Sequence, residues 1–366
     1  MGAPTKTDVE RLADAADIIR KKNSELLEQR RLIESLREER DTARTVRENI
    51  YKIAAYDPEP PEWLVKDGVS GQRGTPVVMF SDWHYGEVIL SAEMAGVNEF
   101  NKAIAKRRIK TLVTTVIDLA FNHMGKAKTT YPGIVVALGG DFLGGSIHEE
   151  LAKTNDRTTQ QCIEDLIDLI IASIETLADA FGKVFVPCVV GNHGRSTKKM
   201  EMKNRVVSSH EWNIYCGVAR HFKKDKRVQF MIPEDADAFF SVHGHRIMLT
   251  HGDSLGTRGG DGIIGSIGPI MRGSLKVGRS EASMGRDYDT LLIGHWHQTL
   301  WLPGVIVNNS LKGFDNYARL ALRAPYSRPS QCLFFVHPKH EITARWEIFL
   351  EPKAKAEEDK EWLTWR

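Results

Sequence analysis

The chain has 366 residues, which is enough for one large domain or two ordinary ones. Its content of 42% hydrophobic and 27% charged residues is that of a soluble globular protein, and its formal net charge of +2 indicates no particular partner. No apolar run approaches the length of a membrane span, so we expect no membrane partner.

The N-terminal region, residues 1–56, is predicted to form one long helix with a heptad seam. An apolar residue recurs every seven positions, at Leu12, Ile19, Leu26 and Ile33. This spacing is typical of a coiled coil, which would join copies of the chain into a homo-oligomer. Asn23 and Arg30 weaken the seam at the offset positions. The alternative is therefore a solvated amphipathic helix that lies on its own globular domain.

Prolines and glycines separate this helix from the rest of the chain. Residues 57–74 contain Pro58, Pro60 and Pro61 followed by three glycines, and proline cannot continue a helix. We interpret residues 57–74 as a linker, residues 75–350 as one globular domain and residues 351–366 as a charged C-terminal tail.

Short apolar runs in this domain first alternate with amphipathic stretches and then follow one another directly. The runs predict strands at residues 77–80, 134–138, 184–190, 228–232, 238–242, 246–250, 290–293, 304–308, 331–337 and 342–349. The stretches predict helices at residues 97–124, 156–180, about 206–222 and about 272–279. This order indicates an α/β fold of layered sheets flanked by helices, with polar groups at the strand ends.

Five of the predicted strands end in aspartate, asparagine or histidine. Asp82 and His84 follow the first strand, where alternate residues of an extended chain point the same way. Similar residue types follow four other strands, at Asp141, Asn192, His193, His251, His295 and His297. Each cluster alone is compatible with an ordinary polar turn, but the five together indicate a metal centre.

These side chains supply enough ligands for two metal ions. We assign one ion to Asp82, His84 and His297, and the other to Asn192, His251 and His295. Asp141 is predicted to bridge the two ions. That role needs a carboxylate, because only a charged group with two oxygens can hold two cations and offset their repulsion.

With these five motifs, residues 76–315 resemble the calcineurin-like metallophosphoesterases. The resemblance implies a two-sheet α/β sandwich, here preceded by the long N-terminal helix, and hydrolysis of a phosphate ester by two divalent metal ions. It also implies that His193 acts on the reacting phosphate or on the leaving group, and is not a ligand. Mn²⁺ suits a mixed carboxylate and imidazole site, although Fe, Zn and Ni fit as well.

Two departures from the family pattern bear on this interpretation. Many relatives carry an acidic residue after the Asn-His pair, whereas Gly194 and Arg195 follow it here, which makes Arg195 a second candidate catalytic residue. The protein Ser/Thr phosphatases carry a second aspartate three residues after the bridging one and an arginine just beyond; Gly144 and Gly145 stand there instead. The stretch 140–143 is more similar to the DNA-repair nuclease branch.

Basic residues surround the predicted site. Lys198 and Lys199 follow the third motif closely, and Arg258 lies in a glycine-rich stretch after the fourth. Cations beside a two-metal centre suit a polyanionic substrate, so we predict that these three contact phosphates. The alternative is a solvated helix face and a flexible surface loop. His123, His148 and His210 stand outside the motifs and are interpreted as structural or exposed.

The sequence therefore predicts a metal-dependent phosphodiesterase or nuclease acting on nucleic acid. A phosphatase or phosphodiesterase for a small nucleotide is the first alternative. A non-catalytic coiled-coil adaptor with a vestigial metal site is a second, of a different class. The four cysteines show no metal-type spacing, and reduced thiols in the cytoplasm are the expected state.

Overall fold

The structure is a computed structural model that describes Lys22, Leu64 and residues 74–123, 131–255 and 266–352. The predicted N-terminal helix, the linker up to residue 73, Arg258 with its glycine-rich stretch, and the tail from residue 353 onward lie outside the described residues. All described residues except Lys22 belong to the unit Tyr56–Arg366.

The described chain contains eleven strands and five α-helices. The strands are β1 (Thr75–Phe80), β2 (Ile134–Leu138), β3 (Val184–Pro187), β4 (Val228–Met231), β5 (Ala238–Val242), β6 (His245–Thr250), β7 (Thr290–Ile293), β8 (Leu300–Leu302), β9 (Val305–Val307), β10 (Ser330–His337) and β11 (Glu341–Phe349). The helices are α1 (Lys102–Asp118), α2 (Glu149–Thr154), α3 (Thr159–Phe181), α4 (His210–His221) and α5 (Ile267–Ser283).

The strands form two mixed sheets. The first has six strands in the order β11-β10-β1-β2-β3-β4, with β1 to β4 parallel to one another and β10 antiparallel to β1. The second has five strands in the order β5-β6-β7-β9-β8, in which β6, β7 and β9 are parallel. Parallel neighbours place their carboxyl ends at one edge of the sheet, where loops can carry function.

The two sheets pack face to face over one apolar core. The core includes buried residues from both sheets, among them Val77, Met79, Val135, Phe240, Leu249 and Leu292. Each fully buried side chain of this size contributes about 1.5–3 kcal/mol relative to exposure. The two-sheet α/β sandwich predicted from the sequence is therefore confirmed.

The element boundaries differ from the predicted ones for local reasons. Helix α1 begins at Lys102 rather than residue 97, because the Asn101 side chain accepts hydrogen bonds from the first-turn amides and caps the helix there. Strand β3 ends at Pro187, three residues early, although the amides of Cys188 and Val189 still donate to the neighbouring strands at Met231 and Leu138 over 2.9 Å. The sequence did not predict β8, a three-residue edge strand too short to show alternation.

Two further properties follow from the described residues. None of their helices is both long and apolar enough to cross a membrane. The four cysteines, Cys162, Cys188, Cys216 and Cys332, are all buried and free of disulfides.

Candidate metal centre

The five polar motifs lie in the loops that follow β1, β2, β3, β6 and β7. Backbone hydrogen bonds join neighbouring loops within each sheet: the amide of Asp82 donates to the carbonyl of Gly140 over 2.9 Å, and that of Gly294 donates to His251 over 2.9 Å. Because these are parallel neighbours, their carboxyl ends lie side by side. The sandwich brings both sets of loops together, and the polar side chains converge there.

Five of the predicted ligands have an unusual backbone conformation. The φ angle is positive at Asp82 (54°), His84 (48°), Asp141 (53°), His295 (66°) and His297 (50°). A left-handed conformation in a residue with a side chain costs energy, and such residues concentrate at functional sites. Their clustering here indicates a functional site. At such a site the direction of each side chain is kept although the backbone conformation costs some stability.

Asp82, His84 and His297 form the first group of donors. Their ligand atoms all lie within 4.8 Å of one another. Nε2 of His84 lies 3.1 Å from Nε2 of His297, which in turn lies 3.3 Å from Oδ1 of Asp82. Two imidazole nitrogens and a carboxylate oxygen that face one point are the donors expected for one divalent transition metal.

Asp141, His251 and His295 form the second group, again with ligand atoms within 4.8 Å of one another. Nε2 of His251 lies 3.1 Å from Oδ2 of Asp141 and 3.2 Å from Oδ1 of Asn192. Asn192 therefore lies beside this group, and its predicted role as a ligand stays a prediction. The structure brings together all seven side chains that the sequence singled out as ligands.

The ring of His251 is held so that its Nε2 atom faces oxygen. Its Nδ1 atom contacts the backbone carbonyl of Gly139 at 2.8 Å, so Nδ1 carries the proton that it donates. Nε2 then faces two oxygen acceptors, Oδ2 of Asp141 and Oδ1 of Asn192. Only a proton or a metal cation at this point can interact favourably with all three atoms. Burial lowers the pKa of His251, but the carboxylates of Asp141, Asp82 and Asp253 together outweigh it and raise that pKa to about 10.

These donors fit a pair of divalent ions. Two buried carboxylates, an amide oxygen and four imidazoles converge, with their acceptor atoms 3.1–3.3 Å apart in three of the contacts. Without a cation, such a cluster of acceptors is electrostatically unfavourable. The bridging role predicted for Asp141 stays a prediction, because its Oδ2 faces His251 while its Oδ1 accepts the His193 amide over 2.8 Å.

Two glycines allow the backbone to approach the carboxylates closely. A Cβ atom at Gly191 would lie 2.0 Å from Oδ1 of Asp141, and one at Gly294 would lie 2.3 Å from Oδ2 of Asp82. Neither position tolerates a side chain without displacement of a candidate ligand. The Gly-Asn-His and Gly-His-x-His motifs therefore need their glycines for space.

Glu211 is a buried acid of the site that the sequence analysis missed. It lies in the first turn of α4, and its two carboxylate oxygens accept the amides of Phe142 over 2.6 Å and Gly191 over 2.7 Å. Burial and the neighbouring Asp141 raise its pKa to about 7. It ties the loops after β2 and β3 to each other. No motif marks it, because it is far from both loops in sequence.

Glu87 is the second buried acid that was missed. Its Oε1 atom lies 2.8 Å from Nδ1 of His84, and its Oε2 atom lies 2.8 Å from Nζ of Lys312. The position three residues after His84 is the only sequence signal for it. Glu87 also forms a third possible metal-binding group with His84 and His193.

His193 is partly exposed and lies beside both groups, with Asp141 of the second and His84 of the first as neighbours. Its Nδ1 atom contacts the carbonyl of Gly144 at 2.8 Å, and its ring centre lies 4.6 Å from that of His84. This position is compatible with ligation and with contact to a substrate, so the predicted role stays a prediction. His148 is exposed, as predicted, and its ring centre lies 5.8 Å from that of His193.

The predicted basic residues are arranged differently from the ligands. The guanidinium of Arg195 donates to the carbonyls of Asn192, Thr197 and Lys198 over 3.0–3.2 Å, so it stabilises its own loop. A direct catalytic role for it stays a prediction. Lys198 and Lys199 are exposed, and Lys198 forms an ion pair with Glu149 at 3.4 Å, which is also exposed.

Comparisons with known proteins add little. No protein-family model matches the chain, and no curated protein does. Similar solved structures include a Staphylococcus aureus protein described as a 5′-nucleotidase, in complex with α-ketoglutarate, at 10% identity and a TM-score of 0.31 over 78% of this chain. The chain spans 56% of the length of that structure.

A second similar structure is a cold-active protein-tyrosine phosphatase of a psychrophilic Shewanella species. It is 10% identical, has a TM-score of 0.27, and the match covers 79% of this chain and 85% of that one. Similarity at this level carries no argument about activity, which must rest on the geometry of the donors.

Proposed function

We propose that the chain is a binuclear metal-dependent phosphoesterase, and specifically a phosphodiesterase that acts on nucleic acid. The observation that carries the proposal is the convergence of five strand-end loops on two groups of donor atoms, each within 4.8 Å. In this proposal the first ion is held by Asp82, His84 and His297. The second is held by Asn192, His251 and His295, and Asp141 lies between them.

When bound, two divalent ions supply Lewis acidity toward phosphate oxygens and a water made nucleophilic at neutral pH. The residues of the chain supply the geometry. The Gly139 carbonyl fixes the ring of His251 through Nδ1, so the other nitrogen is available as a ligand. Glu211 fixes the amides of Phe142 and Gly191, which hold the loops of Asp141 and Asn192. Mn²⁺ is the ion we propose, because it accepts both imidazole and carboxylate.

His193 is the proposed proton donor. The Gly144 carbonyl takes the hydrogen bond of its Nδ1 atom, which leaves Nε2 for the substrate. A proton carried at Nε2 can pass to the oxygen that leaves phosphorus, or can stabilise the charge that develops there. The amide of His193 donates to Asp141, so the backbone that carries this ring is tied to the metal centre.

A polyanionic substrate is supported by the charges beside Asn192. Lys198, Lys199 and Lys203 are exposed on the loop that follows it, while Arg195 and Arg205 are engaged in structural contacts. Lys199 and Lys203 are available for phosphates along a nucleic-acid strand, and Lys198 becomes available when its solvent-exposed pair with Glu149 opens. A small nucleotide would need fewer cations at this distance from the reacting phosphate.

The proposal is tested by stripping the full chain with EDTA and restoring Mn²⁺ or Mg²⁺. We expect activity to disappear on stripping and to return better with Mn²⁺, because imidazole ligands suit softer cations than Mg²⁺. Hydrolysis of bis-p-nitrophenyl phosphate, p-nitrophenyl phosphate, and linear and circular DNA should then be compared. Turnover of the monoester alone would contradict the diesterase assignment, and turnover of none would contradict the enzyme.

A further inference from the structure

A row of charged side chains, two of them buried and one partly buried, lies on the Nδ1 side of His84. Glu87 and Lys312 are each 4% exposed. Lys312 Nζ lies 2.8 Å from Oε2 of Glu87 and 2.8 Å from Oδ2 of Asp315. We call Glu87, Lys312 and Asp315 the buried charge row. It ends on His84, whose Nδ1 atom lies 2.8 Å from Oε1 of Glu87. The angle there is not that of a hydrogen bond, and neither atom has another hydrogen-bond partner among the described residues.

The fold holds this row against the metal-binding loop. The hydroxyl of Ser310 and the amide of Leu311 both donate to the carbonyl of Asp82 over 3.0 Å. The carbonyl of Lys312 accepts from Asn98 over 3.0 Å and from Arg108 over 2.8 Å. The backbone that carries Lys312 is therefore tied to the loop that carries His84.

The row keeps Glu87 charged although it is buried. A lone buried carboxylate takes up a proton, because burial penalises its charged form. Burial would raise the pKa of Glu87, but the Lys312 ammonium and the neighbouring His84 and His193 together outweigh it and hold that pKa below its usual range. Burial likewise works against the charge of Lys312, while Glu87 and then Asp315 raise its pKa. Removal of either partner leaves an uncompensated buried charge.

We propose that Glu87 and Lys312 are positioning residues that fix the ring of His84, with the proton on Nδ1 and the Nε2 lone pair aimed at the metal centre. A carboxylate at Nδ1 selects this tautomer and raises the basicity of the other nitrogen. Nε2 is the atom that lies 3.1 Å from Nε2 of His297. Lys312 acts through Glu87, and Asp315 acts through Lys312. This inference rests on the proposed metal centre.

Glu87 has a competing role, since it lies within 4.8 Å of His84 and His193 in a possible metal-binding group. Two contacts argue against it as a ligand. One of its oxygens faces Nδ1 of His84 and the other faces the ammonium of Lys312. The two roles make opposite predictions for Lys312. A ligand carboxylate would bind metal more tightly without the competing ammonium. A positioning carboxylate would instead lose the contact that holds its other oxygen, and His84 would lose its support.

Metal binding to the full-length apo protein distinguishes them. Wild type, Glu87→Gln and Lys312→Met are titrated with Mn²⁺ alone by equilibrium dialysis. We expect two Mn²⁺ in the wild type, and in both variants a loss of about 10- to 100-fold in affinity at one of the two sites. Asp315→Asn is the milder variant at the outer end of the row and should weaken the same site by less.

Arg286→Met is the matched control. Arg286 also lies between two carboxylates, 2.7 Å from Asp235 and 2.6 Å from Glu281, but it precedes β7, whose opposite end carries the site. Its substitution should lower thermal stability and leave both Mn²⁺ affinities unchanged. If this control and Lys312→Met lose Mn²⁺ affinity equally, the loss is explained by general destabilisation of the fold. That result would overturn the inference.

The tautomer of His84 gives a readout without metal. In ¹⁵N spectra of the histidine-labelled apo protein, with His84→Gln to assign the signal, His84 should carry its proton on Nδ1. Lys312→Met should shift the ring toward a mixture of tautomers. A wild-type ring protonated on Nε2 overturns the inference. If the wild type binds no Mn²⁺, the proposed function is contradicted. If the wild type and the variants bind two Mn²⁺ equally well, only the positioning role is contradicted.

Discussion

The imidazole of His251 and the carboxylate of Asp141 meet across the two sheets, with 3.1 Å between Nε2 and Oδ2. His251 follows β6 of the second sheet and Asp141 follows β2 of the first, and each is 1% exposed. A backbone group also holds each side chain. The carbonyl of Gly139 accepts from the ring of His251, and the amide of His193 donates to the carboxylate of Asp141. The pair therefore links the packing of the sandwich to the geometry of the site.

Asp141→Asn should lose metal. The substitution keeps the shape and one acceptor for the His193 amide, but it removes the charge that offsets two cations. After dialysis against buffer without metal, elemental analysis should find less than the wild-type content, and diesterase turnover should fall with it. Asp168→Asn, an exposed aspartate on α3, is the control and should keep both. Full metal content in Asp141→Asn would contradict the assignment of this residue.

Gly191→Ala should disturb the same carboxylate by a different route. The new Cβ would stand 2.0 Å from Oδ1 of Asp141, so the Asp141 side chain or the loop must shift. Such overpacking costs about 1–3 kcal/mol, and we expect reduced metal affinity together with a lower free energy of unfolding. Both can be followed by metal titration and by urea unfolding.

Gly268→Ala is the control for the glycine prediction. A Cβ at Gly268 would approach Arg272 no closer than 3.5 Å, and the residue lies in α5, where alanine is favoured by up to about 1 kcal/mol. Its stability should be unchanged or higher, with metal affinity as in the wild type. A Gly191→Ala protein that behaves like this control would show that the loop adapts without moving the carboxylate.

The seven ligand candidates could be predicted because each lies directly after its own strand. The short apolar run and the polar residues that follow it form one local pattern, and the sandwich then brings the loop ends to one place. Asn192 and His251 thus lie 3.2 Å apart in space but 59 residues apart in sequence. The supporting residues could not be predicted in this way. Glu211 reaches the site from the start of α4, and its sequence neighbours carry no motif.

Lys312 shows the same limit from another element. It follows β9, and its ammonium reaches Glu87 only because the Ser310 hydroxyl and the Leu311 amide bind the Asp82 carbonyl. A lone lysine in a sequence is normally exposed, and only the folded chain reveals a buried one with two acidic partners. The coiled coil predicted for residues 1–56 stays a prediction, since it lies outside the described residues.

Lys198→Ala combined with Lys199→Ala should weaken DNA binding and flatten its dependence on salt. A lysine that binds a phosphate displaces counterions from the DNA, so the slope of log K against log[salt] should fall by roughly one for each such lysine that is replaced. Hydrolysis of a small diester should be little changed, because neither lysine is among the metal ligands. Binding is measured by fluorescence anisotropy at several salt concentrations.

A second pair of adjacent lysines provides the control for this prediction. Lys223 and Lys224 are exposed at the far end of α4, about 18 Å along the helix axis from its start near the site. Their replacement by alanine removes the same charge and should leave the salt slope unchanged. An equal reduction of the slope in the two double variants would indicate a general effect of net charge and contradict phosphate binding by Lys198 and Lys199.

His193→Gln separates the proton donor from the ligands. His193 is adjacent to Asn192 in sequence, yet the two are assigned to the substrate and to metal respectively. The variant should keep wild-type metal content and lose turnover by about 10²–10⁴-fold, the usual contribution of a positioned acid. The loss should be smaller for an ester whose leaving group needs no protonation, so a series of aryl diesters of graded leaving-group pKa measures it.

If His193→Gln loses metal as completely as Asp141→Asn, His193 is itself a ligand, in keeping with its group with His84 and Glu87. Should it keep both metal and full turnover, the proton donor lies elsewhere, and Arg195 is then the first residue to replace.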